Sequence, residues 1–193
     1  MCGISGLVNL GSESALLAMS RAVAHRGPDD HGHIWFAERR TGLAHRRLSI
    51  IDLSPSGHQP MPDEQRRWWI TFNGEIYNYK ELRIDLARSG FTCRTPSDTE
   101  VLLQAFICWG AECLTRLNGM FAFAIYDARE HTLFAARDRL GVKPLYYVCP
   151  ESGFAFASEI KSFLLARVME AEPDWFALHN PTRYQISPCT GFK

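Results

Sequence analysis

The second residue is a cysteine, and a cysteine at the N-terminus can use its own α-amine as the base for its thiol. The chain begins MCGISG, and Cys2 precedes an apolar run that is typical of a strand. Methionine before a small residue is commonly removed, which would leave Cys2 with a free α-amine. An α-amine has an ordinary pKa of about 7.7–8.0, so at neutral pH a fraction of it is an unprotonated base. Cys2 is therefore a candidate N-terminal nucleophile that needs no histidine partner. The alternative is an inert cysteine at the start of a strand.

The sequence FNGE at residues 72–75 offers hydrogen-bond donors that such a nucleophile would need. We expect it to end a strand in a turn. The side-chain amide of Asn73 and the backbone N–H of Gly74 can both donate to an oxyanion, and one such donor typically lowers the barrier by about 2.7–4 kcal/mol. Asn-Gly is also common in structural turns, so this pair alone leaves both roles open.

The remaining composition excludes other kinds of site and partner. The other five cysteines are scattered without a C-x-x-C pair, and no histidines have zinc-finger or H-E-x-x-H spacing. Neither a disulfide framework nor a metal site is therefore predicted. Lys plus Arg and Asp plus Glu are both 21, and this balance argues against nucleic-acid and anionic-membrane partners. The apolar runs are shorter than the roughly 18 residues of a membrane span. Without a signal peptide, a cytoplasmic location is expected.

Short strands predominate, and most of them arrive in neighbouring pairs. Aromatic and β-branched residues predict strands at CGISGLVNL, HGHIWFA, TGLAHRRLSII, RRWWITF, GMFAFAIYD, TLFAARD, PLYYVC and GFAFAS. One helix is predicted over residues 78–88. A second starts at SDTE, where Ser97 as N-cap and Glu100 three residues later indicate a capping box, and ends at Gly110. Weaker helical patterns cover residues 13–24, 111–117 and 159–166. This order favours an α+β fold with antiparallel sheets and helices outside them.

Blocks of the sequence, in order, resemble the class II glutamine amidotransferase domain, most of all the glutaminase domain of asparagine synthetases. They are MCGISG, HRGPDDHG, HRRLSIIDLSPSGHQPM, NGEIYNYKELR, SDTEVLLQAF, LNGMFAFAIYD, RDRLGVKPLYY and FASEIKSFL. The resemblance covers residues 2–168, and it implies the N-terminal nucleophile hydrolase fold. That fold is a four-layer αββα sandwich of two antiparallel sheets. Residues 169–193 carry three prolines and little periodicity, so they are predicted to be a linker or the start of a further, synthetase-type domain.

The resemblance also implies a role for individual residues. Cys2 would be the nucleophile, and Asn73 and Gly74 would form the oxyanion hole. The segment HRGPDD at 25–30 is expected to shape the nucleophile loop, with Arg26 near the pocket, and not to act in catalysis.

Charged residues would bind the two charged groups of a zwitterionic amino acid. By resemblance, Arg47 would bind the α-carboxylate, which a guanidinium matches with two parallel hydrogen bonds. Asp98 would bind the α-ammonium, with Glu75 close by. Taken alone, Arg47 could be a solvated charge, and Asp98 is favoured by the helix dipole in any case. The pocket would also be lined by the backbone of Leu48, Ser49, Ile50 and Ile51.

The reaction implied is the hydrolysis of L-glutamine to L-glutamate and ammonia through a γ-glutamyl thioester, without a cofactor. Ammonia would pass to an ATP-dependent, asparagine-synthetase-like acceptor domain or chain, whose S-G-G-x-D-S nucleotide loop is absent from these residues. A non-catalytic glutamine-binding or regulatory module is the alternative. A hydrolase of another amide on the same fold would lack the clamps at Arg47 and Asp98. Homo-oligomerisation stays open.

Overall fold

Within residues 1–49 and 57–171, which this computed structural model describes, nine strands form two antiparallel sheets. The strands are β1 (Gly3–Val8), β2 (Asp30–Phe36), β3 (Thr41–Arg47), β4 (Met61–Pro62), β5 (Trp68–Ile76), β6 (Gly119–Asp127), β7 (Thr132–Arg137), β8 (Tyr146–Val148) and β9 (Phe154–Ala157). One sheet has the order β2-β3-β1-β9-β8, and the other has the order β4-β5-β6-β7. The first strand of the chain therefore lies in the middle of its sheet.

Helices cover the outer face of each sheet. They are α1 (Glu13–Ala22), α2 (Tyr79–Arg88), α3 (Asp98–Trp109) and α4 (Lys161–Leu165). One apolar cluster, with Leu16 and Phe163, packs α1 and α4 on the five-stranded sheet. Another, with Leu86 and Leu102, packs α2 and α3 on the four-stranded sheet. A third lies between the sheets and contains Ile4, Leu43, Ala122, Ala124, Tyr126 and Phe156. This layering confirms the predicted α+β, four-layer αββα sandwich.

The predicted elements are found with three differences. The helix expected over 111–117 is a 3₁₀ helix, Gly110–Thr115, and the short strand β4 was not predicted. The turn expected at FNGE was wrong: Asn73 and Gly74 lie inside β5, opposite Ala122 and Phe121 of β6. Pairing with a long neighbouring strand thus overrides the low strand propensity of Asn and Gly.

The capping box predicted for α3 forms only in part. Ser97 is the N-cap, and its Oγ accepts a hydrogen bond from the N–H of Thr99 at 3.2 Å. The carboxylate of Glu100 does not return to Ser97. It accepts from the backbone N–H groups of Arg94 at 2.9 Å and Thr95 at 2.6 Å, and so fixes the chain that leads into the helix.

One buried histidine joins the two sheets. Nε2 of His45, in β3, lies 3.0 Å from the carbonyl oxygen of Phe72 in β5. Burial lowers the pKa of His45 to about 4, although the hydrogen bond to Phe72 acts in the opposite direction. The imidazole is therefore neutral at pH 7, and its Nε2–H donates to the carbonyl. One residue away, Oγ1 of Thr71 donates to the carbonyl of Ala44 at 3.2 Å.

We expect His45 to make the protein less stable as the pH falls from about 6.5 to about 4. The unfolded chain takes up a proton on this residue in that window, whereas the folded protein does not, so the free energy of unfolding should fall by up to about 3 kcal/mol. His45→Gln keeps an N–H donor and does not titrate. Urea unfolding at pH 7, 6, 5 and 4 should therefore show a smaller pH dependence for the variant. Parallel curves for the two proteins would contradict the inference.

Candidate active site

The thiol of Cys2 lies against the end of β3. Gly3 pairs with Arg46 in the antiparallel register of β1 and β3, so Cys2, the next residue outward, adjoins the end of that strand. Its Sγ accepts a hydrogen bond from the N–H of Leu48 at 3.4 Å and lies 3.8 Å from the Leu48 carbonyl oxygen. The predicted nucleophile and the first residue of the predicted pocket lining are therefore in contact.

An arginine holds the backbone of Cys2. Nε of Arg26 donates to the carbonyl oxygen of Cys2 at 3.0 Å, and its Nη1 lies 3.2 Å from Oε1 of Glu159. Glu159 also contacts His25 at 2.9 Å and Lys161 at 3.0 Å. Although burial acts to raise it, hydrogen bonds from these three side chains hold the pKa of Glu159 below its ordinary value. Arg26 of the HRGPDD segment is thus bonded to the backbone of Cys2, the candidate nucleophile.

The segment after β3 is fixed from the side by Asp29. The N–H of Asp29 donates to the carbonyl of Arg47 at 3.1 Å, and its Oδ2 accepts from the N–H of Ser49 at 2.8 Å. The side chain of Arg47 is 8% exposed, and Gly57 packs against its guanidinium so closely that a Cβ there would overlap it. Ile50 and Ile51, which were also predicted to line the pocket, lie outside the described residues.

Asn73 presents a hydrogen-bond donor between the sheets. Its side chain lies on the same face of β5 as that of Thr71, which bonds to β3. Asn73 is 1% exposed, and within the described part of the chain its Nδ2 is buried without a hydrogen-bond partner. Such a group costs free energy unless something accepts from it, so the geometry favours an acceptor bound at this position.

Side chains bond to two N–H groups along the edge of β5 that faces away from β6. The N–H of Phe72 donates to Oε1 of Gln59 at 2.7 Å, and the N–H of Ile76 donates to Oδ2 of Asp98 at 3.1 Å. Alternate residues of a strand point their N–H groups to the same edge. The N–H of Gly74 is therefore directed toward this edge, between the two that Gln59 and Asp98 occupy.

Asp98 is a partly buried carboxylate at the first turn of α3. Burial raises its pKa, as does the negative charge of Glu75, while hydrogen bonds from the backbone of Ile76 and Thr99 act in the opposite direction. Asp98 forms no ion pair with any residue in the described ranges. A cation at this point would relieve the cost of the charge.

The histidine link between the sheets brings these groups to one end of the sandwich. Phe72 is the hydrogen-bond partner of His45. Arg47 lies two residues after His45, and Asn73 is the residue after Phe72. Cys2 lies beside the end of β3, and Asp98 bonds to the end of β5. The predicted residues Cys2, Arg47, Asn73 and Asp98 therefore lie on or beside the linked strands β3 and β5.

Three residues that support the site were not assigned from the sequence: His45, Gln59 and Glu159. The apolar residues Leu43 and Ala44 before His45 indicate a strand with buried positions, but two arginines follow it and no pattern marks the histidine itself as buried. Gln59 and Glu159 have partners far away in the sequence, so no local pattern marks them.

Residues 1–49 and 57–171 contain no group of three or more His, Cys, Asp or Glu side chains arranged to hold a metal ion. In the same ranges, no helix combines the length and apolar character needed to span a bilayer.

Comparison with known proteins relates the whole chain to one family. The family model for the glutamine amidotransferase domain matches residues 1–191. Asparagine synthetase [glutamine-hydrolyzing] 1 of Bacillus subtilis (strain 168) is 42% identical over 195 residues, covering 97% of this chain and 30% of that protein. Putative asparagine synthetase [glutamine-hydrolyzing] 2 of Methanocaldococcus jannaschii is 41% identical over 186 residues, covering 86% and 36%. The chain thus spans about a third of the length of these relatives.

A solved structure shares the fold. Glutamine phosphoribosylpyrophosphate amidotransferase from Bacillus subtilis aligns with a TM-score of 0.73 at 21% identity, over 89% of this chain and 45% of that one. At this identity the similarity establishes the architecture alone.

We expect Asp98→Asn to stabilise the protein at pH 7. A raised pKa means that the group contributes most to stability below the ordinary pKa of Asp, and that this contribution is lost as the pH rises through the raised value. The variant removes the charge and keeps an oxygen for the N–H of Ile76. The urea midpoint of the variant should be higher than that of the wild type at pH 7. The difference between the two midpoints should become smaller toward pH 4.

Asp127→Asn is the matched control. Asp127 is also buried but pairs with Arg67 at 2.6 Å. Burial acts to raise its pKa, yet the hydrogen bonds from Arg67 hold it below the ordinary value. Its variant should be less stable than the wild type at pH 7. If Asp98→Asn lost as much stability as this control, an uncompensated charge at Asp98 would be the wrong description.

Proposed function

The chain belongs to the glutamine amidotransferase domain family, and on this premise we propose that it hydrolyses L-glutamine to L-glutamate and ammonia with Cys2 as the nucleophile. The observation that carries the proposal is the buried Nδ2 of Asn73, which lacks an acceptor within the described residues. A carbonyl oxygen that becomes negatively charged during attack by Cys2 would be that acceptor. A donor held ready for the transition state accelerates the reaction more than one that binds the substrate equally well.

The proposed reaction begins after removal of Met1. The α-amine of Cys2 takes the proton of the thiol as sulfur attacks the side-chain amide carbon of glutamine. Nδ2 of Asn73 and the N–H of Gly74 hold the oxyanion. The amine returns its proton to the departing nitrogen, ammonia leaves, and a γ-glutamyl thioester remains. Water then attacks the thioester with the amine again as base, which releases glutamate and restores the thiol.

Recognition of glutamine rests on its two charges. Arg47 would bind the α-carboxylate at the end of β3, with the backbone of Leu48 and Ser49 alongside. Asp98 would bind the α-ammonium, and the nearby charge of Glu75 strengthens the attraction. The raised pKa of Asp98 supports this role, because burial leaves its charge poorly compensated until a cation arrives.

The ammonia would serve an ATP-dependent, asparagine-synthetase-like acceptor outside this chain. Both curated relatives named above are asparagine synthetases, and this chain corresponds to about a third of their length. Residues 2–168 would form the glutaminase domain, and residues 169–193 would lead toward the acceptor. The glutaminase domain and the acceptor would both be in the cytoplasm.

Hydrolysis should require removal of Met1, because a peptide bond on Cys2 turns the base into a non-basic amide. Preparations made with and without co-expressed methionine aminopeptidase should differ in the fraction of protein that retains Met1, and intact mass measures that fraction. The processed form should release ammonia from glutamine, and the form that retains Met1 should not. Equal activity of the two forms would refute the N-terminal base.

Asn73→Ala should lower kcat by about 10²–10³-fold, the usual cost of one oxyanion donor. Its stability should fall little through hydrogen bonding, since Nδ2 has no partner to lose among residues 1–49 and 57–171. Asn78→Ala is the matched control: Asn78 bonds to the carbonyl of Arg116 and the N–H of Asn118, both at 2.9 Å. That variant should melt at a lower temperature with kcat unchanged. An Asn73→Ala enzyme with wild-type kcat would mean that the oxyanion lies elsewhere.

A further inference from the structure

We propose that Gln59 is a positioning residue for glutamine hydrolysis, which holds the oxyanion donors and the α-ammonium site at a fixed separation. The inference rests on the function proposed above. The oxyanion donors are on β5, Asp98 is on α3, and the side chain of Gln59 bonds to both elements.

Both ends of the Gln59 amide are used. The residue is 5% exposed, its Oε1 accepts from the N–H of Phe72 at 2.7 Å, and its Nε2 donates to Oγ1 of Thr99 at 3.3 Å. The acceptor end thus faces a donor and the donor end faces an oxygen, which fixes the orientation of the amide. A buried amide bonded at both ends is a short, rigid spacer between its partners.

Each partner of Gln59 adjoins a residue that would touch the substrate. Phe72 comes directly before Asn73, and Thr99 comes directly after Asp98. Glutamine must engage Asn73 with its side-chain amide and Asp98 with its α-ammonium at the same time. The distance between these elements therefore decides whether the reacting carbon lies correctly for attack.

Apart from the link through Gln59, the described hydrogen bond that joins the start of α3 to β5 is made by Asp98 itself. Oδ2 of Asp98 accepts from the N–H of Ile76. If this carboxylate were the only polar link, the link would be lost when Asp98 turned toward a ligand, and apolar packing alone would hold the helix on the strand. The link through Thr99 leaves Asp98 able to bind an ammonium while α3 stays in position.

The backbone of Gln59 is itself held by the other sheet. Its carbonyl oxygen lies against Gly32 of β2 so closely that a side chain there would overlap it, and Gly57 lies equally close to the guanidinium of Arg47. The segment from Gly57 to Gln59 therefore contacts the proposed carboxylate site at one end. At the other end, it spaces the oxyanion and ammonium sites.

A purely structural role is the competing explanation, since Gln59 satisfies a buried N–H that would otherwise be costly. Thr99→Val separates the two explanations. It removes only the hydroxyl, nearly preserves the shape, and leaves the bond between Gln59 and Phe72 intact. Thr99 is 3% exposed, and valine leaves the buried Nε2 of Gln59 without its acceptor, so a fall in Tm is expected under either explanation and does not separate them.

The experiment uses the processed full-length chain and compares Thr99→Val with the conservative Thr99→Ser. For each variant it measures kcat and KM for glutamine, the rate of Cys2 alkylation by iodoacetamide, and the Tm. Positioning predicts that Thr99→Val loses about tenfold or more in kcat/KM, because a misplacement of about 1 Å can cost about 100-fold. Alkylation should be unchanged, since that small neutral reagent uses neither clamp. Thr99→Ser should restore most of the activity.

Two further variants complete the test. Thr41→Val removes another buried hydroxyl, which bonds to the backbone of Arg39 and Asn9 at the far end of β3. It should lower the Tm and leave kcat/KM unchanged. In a Gln59→Met background, Thr99→Val should have no additional effect on kcat/KM, because the link is already broken.

The outcomes separate this inference from the function on which it rests. Wild-type kcat/KM in Thr99→Val would overturn the positioning role while glutamine hydrolysis stood. If Thr99→Val slowed the alkylation of Cys2 by the same factor as it lowered kcat/KM, Gln59 would have a structural role alone. That result would overturn the positioning role as well. A processed wild type that releases no ammonia would overturn the proposed function, and the positioning role with it.

Discussion

The arrangement of the site depends on one hydrogen bond between the sheets, from His45 to the carbonyl of Phe72. It fixes β3, which ends at Arg47 and lies beside Cys2, relative to β5, which carries Asn73. The bond needs a neutral imidazole, and burial provides one by opposing protonation. An aliphatic residue at position 45 could fill the space, but it would leave a buried carbonyl unpaired and would set no direction for the strand.

The second constraint is that β5 is left incomplete along one edge. β4 pairs with it only at Ile70 and Trp69. Farther along that edge, the N–H groups of Phe72 and Ile76 bond to side chains, and the N–H of Gly74 lies between them. A longer partner strand would be more stable, but it would cover the N–H of Gly74. Asp98 carries a partly buried charge, and Nδ2 of Asn73 has no hydrogen-bond partner among the described residues. Each of these groups lowers the stability of the free protein, and each would become favourable if the proposed ligand supplied its partner.

The sequence predicts the architecture better than it predicts the contacts that hold the candidate site residues. The strands and the N-cap at Ser97 follow from local patterns, and Cys2 follows from its place beside the first residue. FNGE was mistaken for a turn because Asn and Gly are poor strand formers, and only β6, more than 40 residues later, overrides that preference. Gln59 and Glu159 act through partners distant in the chain, and a local pattern carries no information about such contacts.

The order of the five-stranded sheet has a consequence for synthesis on the ribosome. β1 lies between β3 and β9, so the first strand to be made cannot complete its pairing until residues 154–157 have followed. The contact between Arg26 and Glu159, 133 residues apart, waits for the same moment. Until then the contact from Glu159 that positions Arg26 against Cys2 is missing. The surroundings of Cys2 are therefore complete only after most of the described chain has been made, whereas Met1, which is 55% exposed in the finished fold, is accessible to a peptidase both before and after that moment.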